Sequence, residues 1–241
     1  MNVSTLLDHA ARRFPTHGAV YRGSELLWRY GELRDRALRI GAALRERGRA
    51  GDRVAIASEN RVELVELMFG IWAAGLVAVP INYKLHAKET AQIIFDCDAA
   101  FVFVSPTLAR DLRNALRALP RSQEDSPAAM RLVTTIGDPA YAALLEAEPE
   151  PVPTSAPDAL AWLFYTSGTT GRSKGAMLTH GNLMAMTLAH LVFAFATTAY
   201  VVLAIQFEEQ DLLTEHGAAY AEYRRKVPML LPALRALRRS P

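Results

Sequence analysis

Residues 165–175 read YTSGTTGRSKG. Thr166, Ser167, Thr169, Thr170 and Ser173 are set among Gly168, Gly171 and Gly175, with a single lysine, Lys174. Glycines let backbone N–H groups approach an anion, hydroxyls add donors, and an ammonium adds charge, so this composition suits phosphate. On composition alone a Ser/Thr/Gly loop is better read as a solvated turn. Its flanks change that reading. The apolar run ALAWLFYT, residues 159–166, predicts a strand feeding straight into the loop. Behind the loop, THGNLMAMTLAHL predicts a helix with Thr179 as its N-cap. A strand, a hydroxyl-rich loop and a helix favour phosphate binding. The Walker pattern does not fit. Begun at Gly168 it needs glycine where Ser173 stands, and begun at Gly171 it needs glycine where Ala176 stands.

Upstream, helical and strand patterns alternate. Leu6, Leu7, Ala10, Ala11 and Phe14 space like a helix face, and AVYRG and ELLWRY read as two short strands. YGELRDRALRIGAALRERG carries the stripe Leu33, Ala37, Ile40, Ala43, Leu44 and stops near Gly48. Then come a strand (DRVAIAS), a helix with Leu64, Leu67, Met68, Ile71 and Trp72 inward, and a strand ending at Pro80. A helix (KETAQIIFDCDA), a strand (AFVFVSP), a helix (TLARDLRNALRAL) and a strand (RLVTTIG) follow. Strands this apolar, separated by helices, predict an α/β fold with a parallel sheet covered by helices on both faces. RSQEDSPAAM and AEPEPVPTSAPD read as loops.

The chain has 241 residues, 51% of them hydrophobic, with 27 Lys and Arg against 25 Asp and Glu and a net charge of +2. That balance, with no basic groove interleaved with aromatics, excludes nucleic acid as an expected partner. The one cysteine, Cys97, lies in an apolar run and reads as a small buried hydrophobe, so no internal disulfide forms. The N-terminal stretch has Asp8 and two arginines in a helical pattern and is not a secretory signal.

Beyond Leu183 the character changes. LMAMTLAHLVFAFATTAYVVLAI, residues 183–205, holds no Asp, Glu, Lys or Arg and is long enough to cross a bilayer. A buried helix, or a helix and a buried strand, are the alternatives; the membrane reading leads slightly. Residues 206–241 predict an amphipathic helix with Leu212, Leu213, Tyr220 and Tyr223, then Arg224, Arg225, Lys226 and a basic end that favours the cytoplasmic side. The acidic residues Glu208, Glu209, Asp211, Glu215 and Glu222 read first as a solvated helix face. The expected organisation is 1–182, 183–205 and 206–241.

YTSGTTGRSKGAMLTHGNL resembles the signature loop of the acyl-adenylate-forming (AMP-binding) enzymes, the fatty acyl-CoA synthetases among them. The family form is Y-T-S-G-T-T-G-x-P-K-G followed by Thr-His-x-Asn, and Ser173 stands at the usual proline. The resemblance extends through YGELRDRALRIGAALRERG, GDRVAIASENRVELVELMFGIWAAGLVAVPIN and FVFVSP, from about residue 3 to about residue 190. It implies an ATP-dependent ligase that joins a carboxylic acid, a fatty acid foremost, to AMP and then to coenzyme A. By the same resemblance Thr166, Ser167, Gly168, Thr169, Thr170, Gly171 and Lys174 contact the phosphates of ATP, whose charge Mg²⁺ offsets; no protein metal ligand and no catalytic residue are assigned. The family's adenine, ribose, hinge and catalytic-lysine elements have no visible counterpart, so full activity is not expected.

The tail resembles another family. FEEQDLLTEHGAAYAEYRRKVPMLLP is similar to the C-terminal end of isoprenylcysteine carboxyl methyltransferase-like membrane proteins, over about residues 197–232. Glu208, Glu209, Leu212, Gly217, Tyr220, Tyr223, Arg224, Arg225, Val227 and Pro228 carry the match. The Arg-His-Pro segment that helps hold S-adenosylmethionine there is absent, so methyl transfer is not expected. An ATP-using domain and a basic tail both belong in the cytosol, and one span cannot place both there. Either residues 183–205 do not span, or the chain joins two gene fragments; the second reading is preferred.

Overall fold

The structure is a computed structural model that describes residues 1–119, 132–166 and 174–227. Its elements are α1 (Thr5–Arg13), β1 (Gly18–Arg22), β2 (Glu25–Arg29), α2 (Tyr30–Arg47), β3 (Arg53–Ala57), α3 (Glu63–Ala73), β4 (Val77–Ile81), α4 (Ala87–Asp96), β5 (Ala99–Val104), α5 (Pro106–Ala118), β6 (Leu132–Thr135), α6 (Pro139–Leu144), β7 (Leu160–Thr166), β8 (Lys174–Thr179) and α7 (His180–Lys226). The described residues fall into two units, Met1–Ala185 and a second that begins at Met186.

In the first unit β1 and β2 form an antiparallel hairpin of their own. The main sheet has the order β6-β5-β3-β4-β7-β8 and is parallel except for the last pair. Period-two alternation sorts each central strand between two cores. Val54 and Ile56 of β3, with Phe101 and Phe103 of β5, face a cluster built with Ile40 and Leu44 of α2, Leu67 and Ile71 of α3 and Tyr141 of α6. Ala55 and Ala57, with Val102 and Val104, face the opposite cluster, closed by Ile93 and Ile94 of α4 and Leu112 of α5. Both faces are therefore dry, which is why these strands read as unbroken apolar runs. Each of the fully buried Phe101 and Phe103 contributes about 2 kcal/mol from burial. The expected fold, a helix-covered parallel sheet, is the fold observed, and Cys97 is buried as expected.

Three local readings are corrected. The strand expected to end at Pro80 pairs with β3 through Ile81. A short helix, α6, follows β6, where no helix was expected. Asp138 caps it by accepting from Tyr141 N at 2.8 Å, with Pro139 in its first turn. The segment behind the loop is first a strand: β8 returns antiparallel along β7, so no helix N-terminus adjoins the loop. Residues 183–205 and the start of the amphipathic stretch both lie in α7. α7 continues to Gly217, which interrupts it at φ 51 and ψ −124. The loop read over RSQEDSPAAM lies outside the described residues.

In the second unit the apolar stretch of α7 has a mean hydropathy of 2.1, and Phe193 and Phe195 are 70% and 80% exposed. Past Gly217 the chain folds back. Ile205, Glu208, Glu209 and Leu212 on one arm, and Tyr220, Tyr223, Arg224 and Val227 on the other, line a small cavity of about 250 Å³.

Candidate functional site

β7 and β8 form a hairpin whose far end carries the loop. The register is Leu160↔Thr179 at the base, Tyr165↔Gly175 near the tip and Thr166↔Lys174 at the mouth. Thr166 and Lys174 thus stand opposite one another, and both are exposed. Among the described residues Lys174 has no ion-pair partner, so its ammonium is available to an anion. Ser167, Gly168, Thr169, Thr170 and Gly171 lie outside the described residues.

Two contacts hold the mouth. The Tyr165 hydroxyl donates to Asp96 Oδ2 at 2.6 Å, tying the tip to the end of α4. Burial, and then the Asp96 hydrogen bond, push the Tyr165 hydroxyl well above the ordinary tyrosine range, so it stays protonated. Gly175 packs closely: a Cβ there would sit 2.9 Å from Leu163 Cδ1 and 3.3 Å from Tyr165 Cζ, so Leu163 would have to turn aside. The base is held by a reciprocal cap. Thr179 Oγ1 accepts from Asn182 N at 3.1 Å while Asn182 Oδ1 accepts from Thr179 N at 3.0 Å. Thr179 caps α7 as expected, and the Thr-His-x-Asn part of the motif is structural. His180 points inward and is 2% exposed.

Sequence reasoning did not anticipate two polar clusters. Open α/β sheets bind ligands beyond the carboxyl ends of their strands, and here Glu59 follows β3 and bonds to the segment that follows β5. Its carboxylate accepts from Thr107 Oγ1 at 3.2 Å, at the start of α5. The hydrogen bond from Ser105 foremost keeps the Glu59 carboxyl below the usual range. The second cluster is buried: Glu66, 0% exposed, accepts from Arg36 and from the Tyr141 hydroxyl at 2.6 Å. Its members lie on α2, α3 and α6, and their charges do not alternate with any visible period, so no sequence signal joins them. A groove of about 580 Å³ also opens between α4 and α5, bordered by Leu85, His86, Leu108 and Asp111. No group of three or more His, Cys, Asp or Glu side chains among the described residues is placed to hold a metal ion.

The AMP-binding enzyme family matches residues 7–208. Feruloyl-CoA synthase of Amycolatopsis sp is 38% identical over 178 residues, which is 72% of this chain and 32% of that protein. The chain thus spans about a third of the length of such relatives. A solved Mycobacterium tuberculosis fatty acyl CoA synthetase aligns with TM-score 0.64 at 29% identity, covering 74% of this chain and 34% of that one. Towards the other end, Methanethiol S-methyltransferase 2 of Bradyrhizobium diazoefficiens is 54% identical over 66 residues, 27% of this chain and 26% of that protein. With the helix-covered sheet and the β7–β8 hairpin in place, the chain belongs to the AMP-binding enzyme family, of which it carries an N-terminal part.

Proposed function

We propose that residues 1–182 form the phosphate-binding part of an adenylate-forming ligase. It holds the β- and γ-phosphates of ATP for the activation of a carboxylic acid, foremost a fatty acid. The observation that carries this reading is the pairing of exposed Thr166 with exposed Lys174, which has no ion-pair partner among the described residues, at the mouth of the hairpin. A hydroxyl donor and a cation facing across a glycine-rich turn fit a phosphate chain. Ser167, Gly168, Thr169, Thr170 and Gly171 complete the set by family resemblance. Mg²⁺ and coenzyme A belong to the same reaction by family resemblance, but the described residues offer no carboxylate cluster for the metal.

The reaction's reach in this chain is small. Groups for adenine, ribose and the acyl chain have no assigned counterpart, so we expect phosphate binding without efficient turnover. Calorimetry with inorganic tripolyphosphate tests the first half: binding by the intact chain, lost in Lys174→Ala, is the expected result. ATP–pyrophosphate exchange over a panel of carboxylic acids tests the second, and robust exchange would overturn the expectation of inefficient turnover. Absence of tripolyphosphate binding would overturn the site itself.

A second reading is favoured by the exposed apolar surface of α7, whose mean hydropathy is 2.1. On it, residues 183–205 insert in a membrane and 206–241 form a basic tail beside it. The chain is then a membrane-associated, non-catalytic join of an adenylation fragment to a methyltransferase-related tail, with the first part in the cytoplasm. Carbonate extraction of membranes separates the readings, since a chain recovered wholly in the soluble fraction rules out insertion. Resequencing the locus tests the join: a frameshift near codons 185–200 would make the chain an artefact.

A further inference from the structure

The N-terminal segment and the base of the hairpin meet at one buried imidazole. His180, the first residue of α7, accepts a hydrogen bond at Nδ1 from Val3 N at 3.2 Å. A nitrogen that accepts carries no proton, so the ring is neutral with its proton on Nε2. The segment that donates to it is itself pinned. Asn2 Nδ2 donates to Trp72 O at 2.7 Å and to Ser155 Oγ at 3.1 Å, and Ser4 Oγ donates to Phe69 O at 3.1 Å. Asn2 and Ser4 are buried, at 1% and 2% exposure. On its other side His180 N donates to Ala159 O at 3.0 Å, and Gly181 N donates to Pro157 O at 2.7 Å. One line of bonds therefore runs from the end of α3 through the N-terminal segment and the imidazole to the base of the hairpin. Thr166 and Lys174 sit at that hairpin's other end.

We propose that His180 is a positioning residue for Thr166 and Lys174 at the mouth of the hairpin: its neutral ring fastens the β7–β8 hairpin to the N-terminal segment, and protonation unfastens it. The proposal rests on the reading of the loop as a phosphate site. Once protonated, the ring has two donors and no acceptor, so Val3 N–H would face an N–H inside a dry pocket. The surroundings oppose that charge. The Met1 ammonium on the N-terminal segment is a second cation acting on the ring; the loop before β7 turns carbonyls of Pro157 and Ala159 to the adjoining amides, and its Asp158 is exposed. Burial first, and then the Met1 ammonium, hold the imidazole below its ordinary value. A His with a depressed folded-state value contributes its full stability above the unfolded value of about 6.5. That contribution is lost as pH falls through the folded-state value.

The test uses the whole chain, with two variants. His180→Gln keeps a neutral acceptor that cannot titrate, and His180→Ala removes the acceptor. Three quantities are followed from about pH 8 to about pH 5: the His180 imidazole resonance, the exchange protection of the Val3 amide, and the affinity for inorganic tripolyphosphate. In the wild type, protection and affinity are expected to fall severalfold in step with the imidazole titration. In His180→Gln both should keep to the curve set by the ligand's own protonation, and in His180→Ala the Val3 amide should be unprotected throughout. A Val3 amide that stays protected after the imidazole has titrated overturns the fastening. A His180→Gln variant whose affinity follows the wild-type pH curve overturns the positioning role. Lack of tripolyphosphate binding at every pH overturns instead the phosphate reading, while Val3 protection still decides the fastening.

Discussion

Glu209 Oε2 lies 3.2 Å from Arg224 Nε although the two residues stand on opposite sides of Gly217. On an unbroken helix, at about 1.5 Å per residue, they would be roughly 22 Å apart along the axis. The reversal is made by Gly217, whose φ of 51 and ψ of −124 suit only glycine. Gly217→Ala should cost on the order of 1–3 kcal/mol at that position and straighten the arm. Spin labels on the exposed positions Gln210 and Glu222, read by pulsed dipolar spectroscopy in detergent, should move apart by roughly 10 Å. An unchanged distance would show that the arm is held by its contacts and not by the glycine.

Arg36, Glu66 and Tyr141 stitch α2, α3 and α6 together beneath the sheet. Arg36 is also stacked over the Trp28 ring, 4.7 Å from its centre. With Glu66 at 0% exposure, removing one partner strands the other. Arg36→Ala should destabilise the chain by about 3–5 kcal/mol, since it leaves a buried carboxylate without its cation. Tyr141→Phe removes one donor and should cost about 1–3 kcal/mol. Urea titrations of the two single variants and the double variant check this, and the double should cost less than the sum because the pair shares one carboxylate.

These residues mark where the sequence stops being legible. β3 and β5 announce themselves because both faces are buried and no polar residue interrupts Val54–Ala57 or Phe101–Val104. β8 was hidden because Gly175, Ala176 and Met177 are poor strand formers and all are exposed. The cap at Thr179 was legible, and α7 begins directly after it. α6 was signalled by Asp138 and Pro139, yet it is only six residues long, too short for a periodic stripe. At the site, the proposed phosphate role of Lys174 and Thr166 could be read from the loop's residues taken together with its flanks. The roles of Tyr165, Gly175 and His180 could not, because their partners Asp96, Leu163 and Val3 are distant in sequence or on the neighbouring strand.

Asp8 carries the acid sensitivity of the first unit's edge. Burial alone would raise its carboxyl, but the hydrogen bond and charge of Arg34, at 2.6 Å, and then of Arg12, at 2.8 Å, outweigh this and lower it. A carboxyl depressed in the folded state contributes its stability above its unfolded value, near 3.9, and loses it as pH falls through the folded value. Thermal melts between about pH 5 and about pH 2.5 should show the wild-type midpoint falling more steeply than that of Asp8→Asn. Parallel curves would remove Asp8 from the acid transition.

Cys97 is 6% exposed, and burial pushes its thiol up to about 12. At neutral pH the thiolate that reacts is therefore scarce. A disulfide reagent should leave the native chain unmodified and label it at once in denaturant, so rapid labelling of the native chain would place Cys97 elsewhere than in the core.

The Tyr165–Asp96 bond is the remaining hold on the loop. Tyr165 is the last inward-held residue before the mouth, and its hydroxyl reaches the exposed end of α4 at 2.6 Å. Tyr165→Phe should cost about 1 kcal/mol of stability, the net worth of one such bond. Its larger effect should fall on the loop, because Thr166 then loses the nearest fixed point on its own strand. Tripolyphosphate affinity is expected to drop in Tyr165→Phe and in Asp96→Asn by similar factors, and to drop no further in the double variant, since both changes break the same tether. Additive losses would mean that each residue acts on the loop separately, and unchanged affinity in all three would mean that Lys174 holds the anion without help from α4.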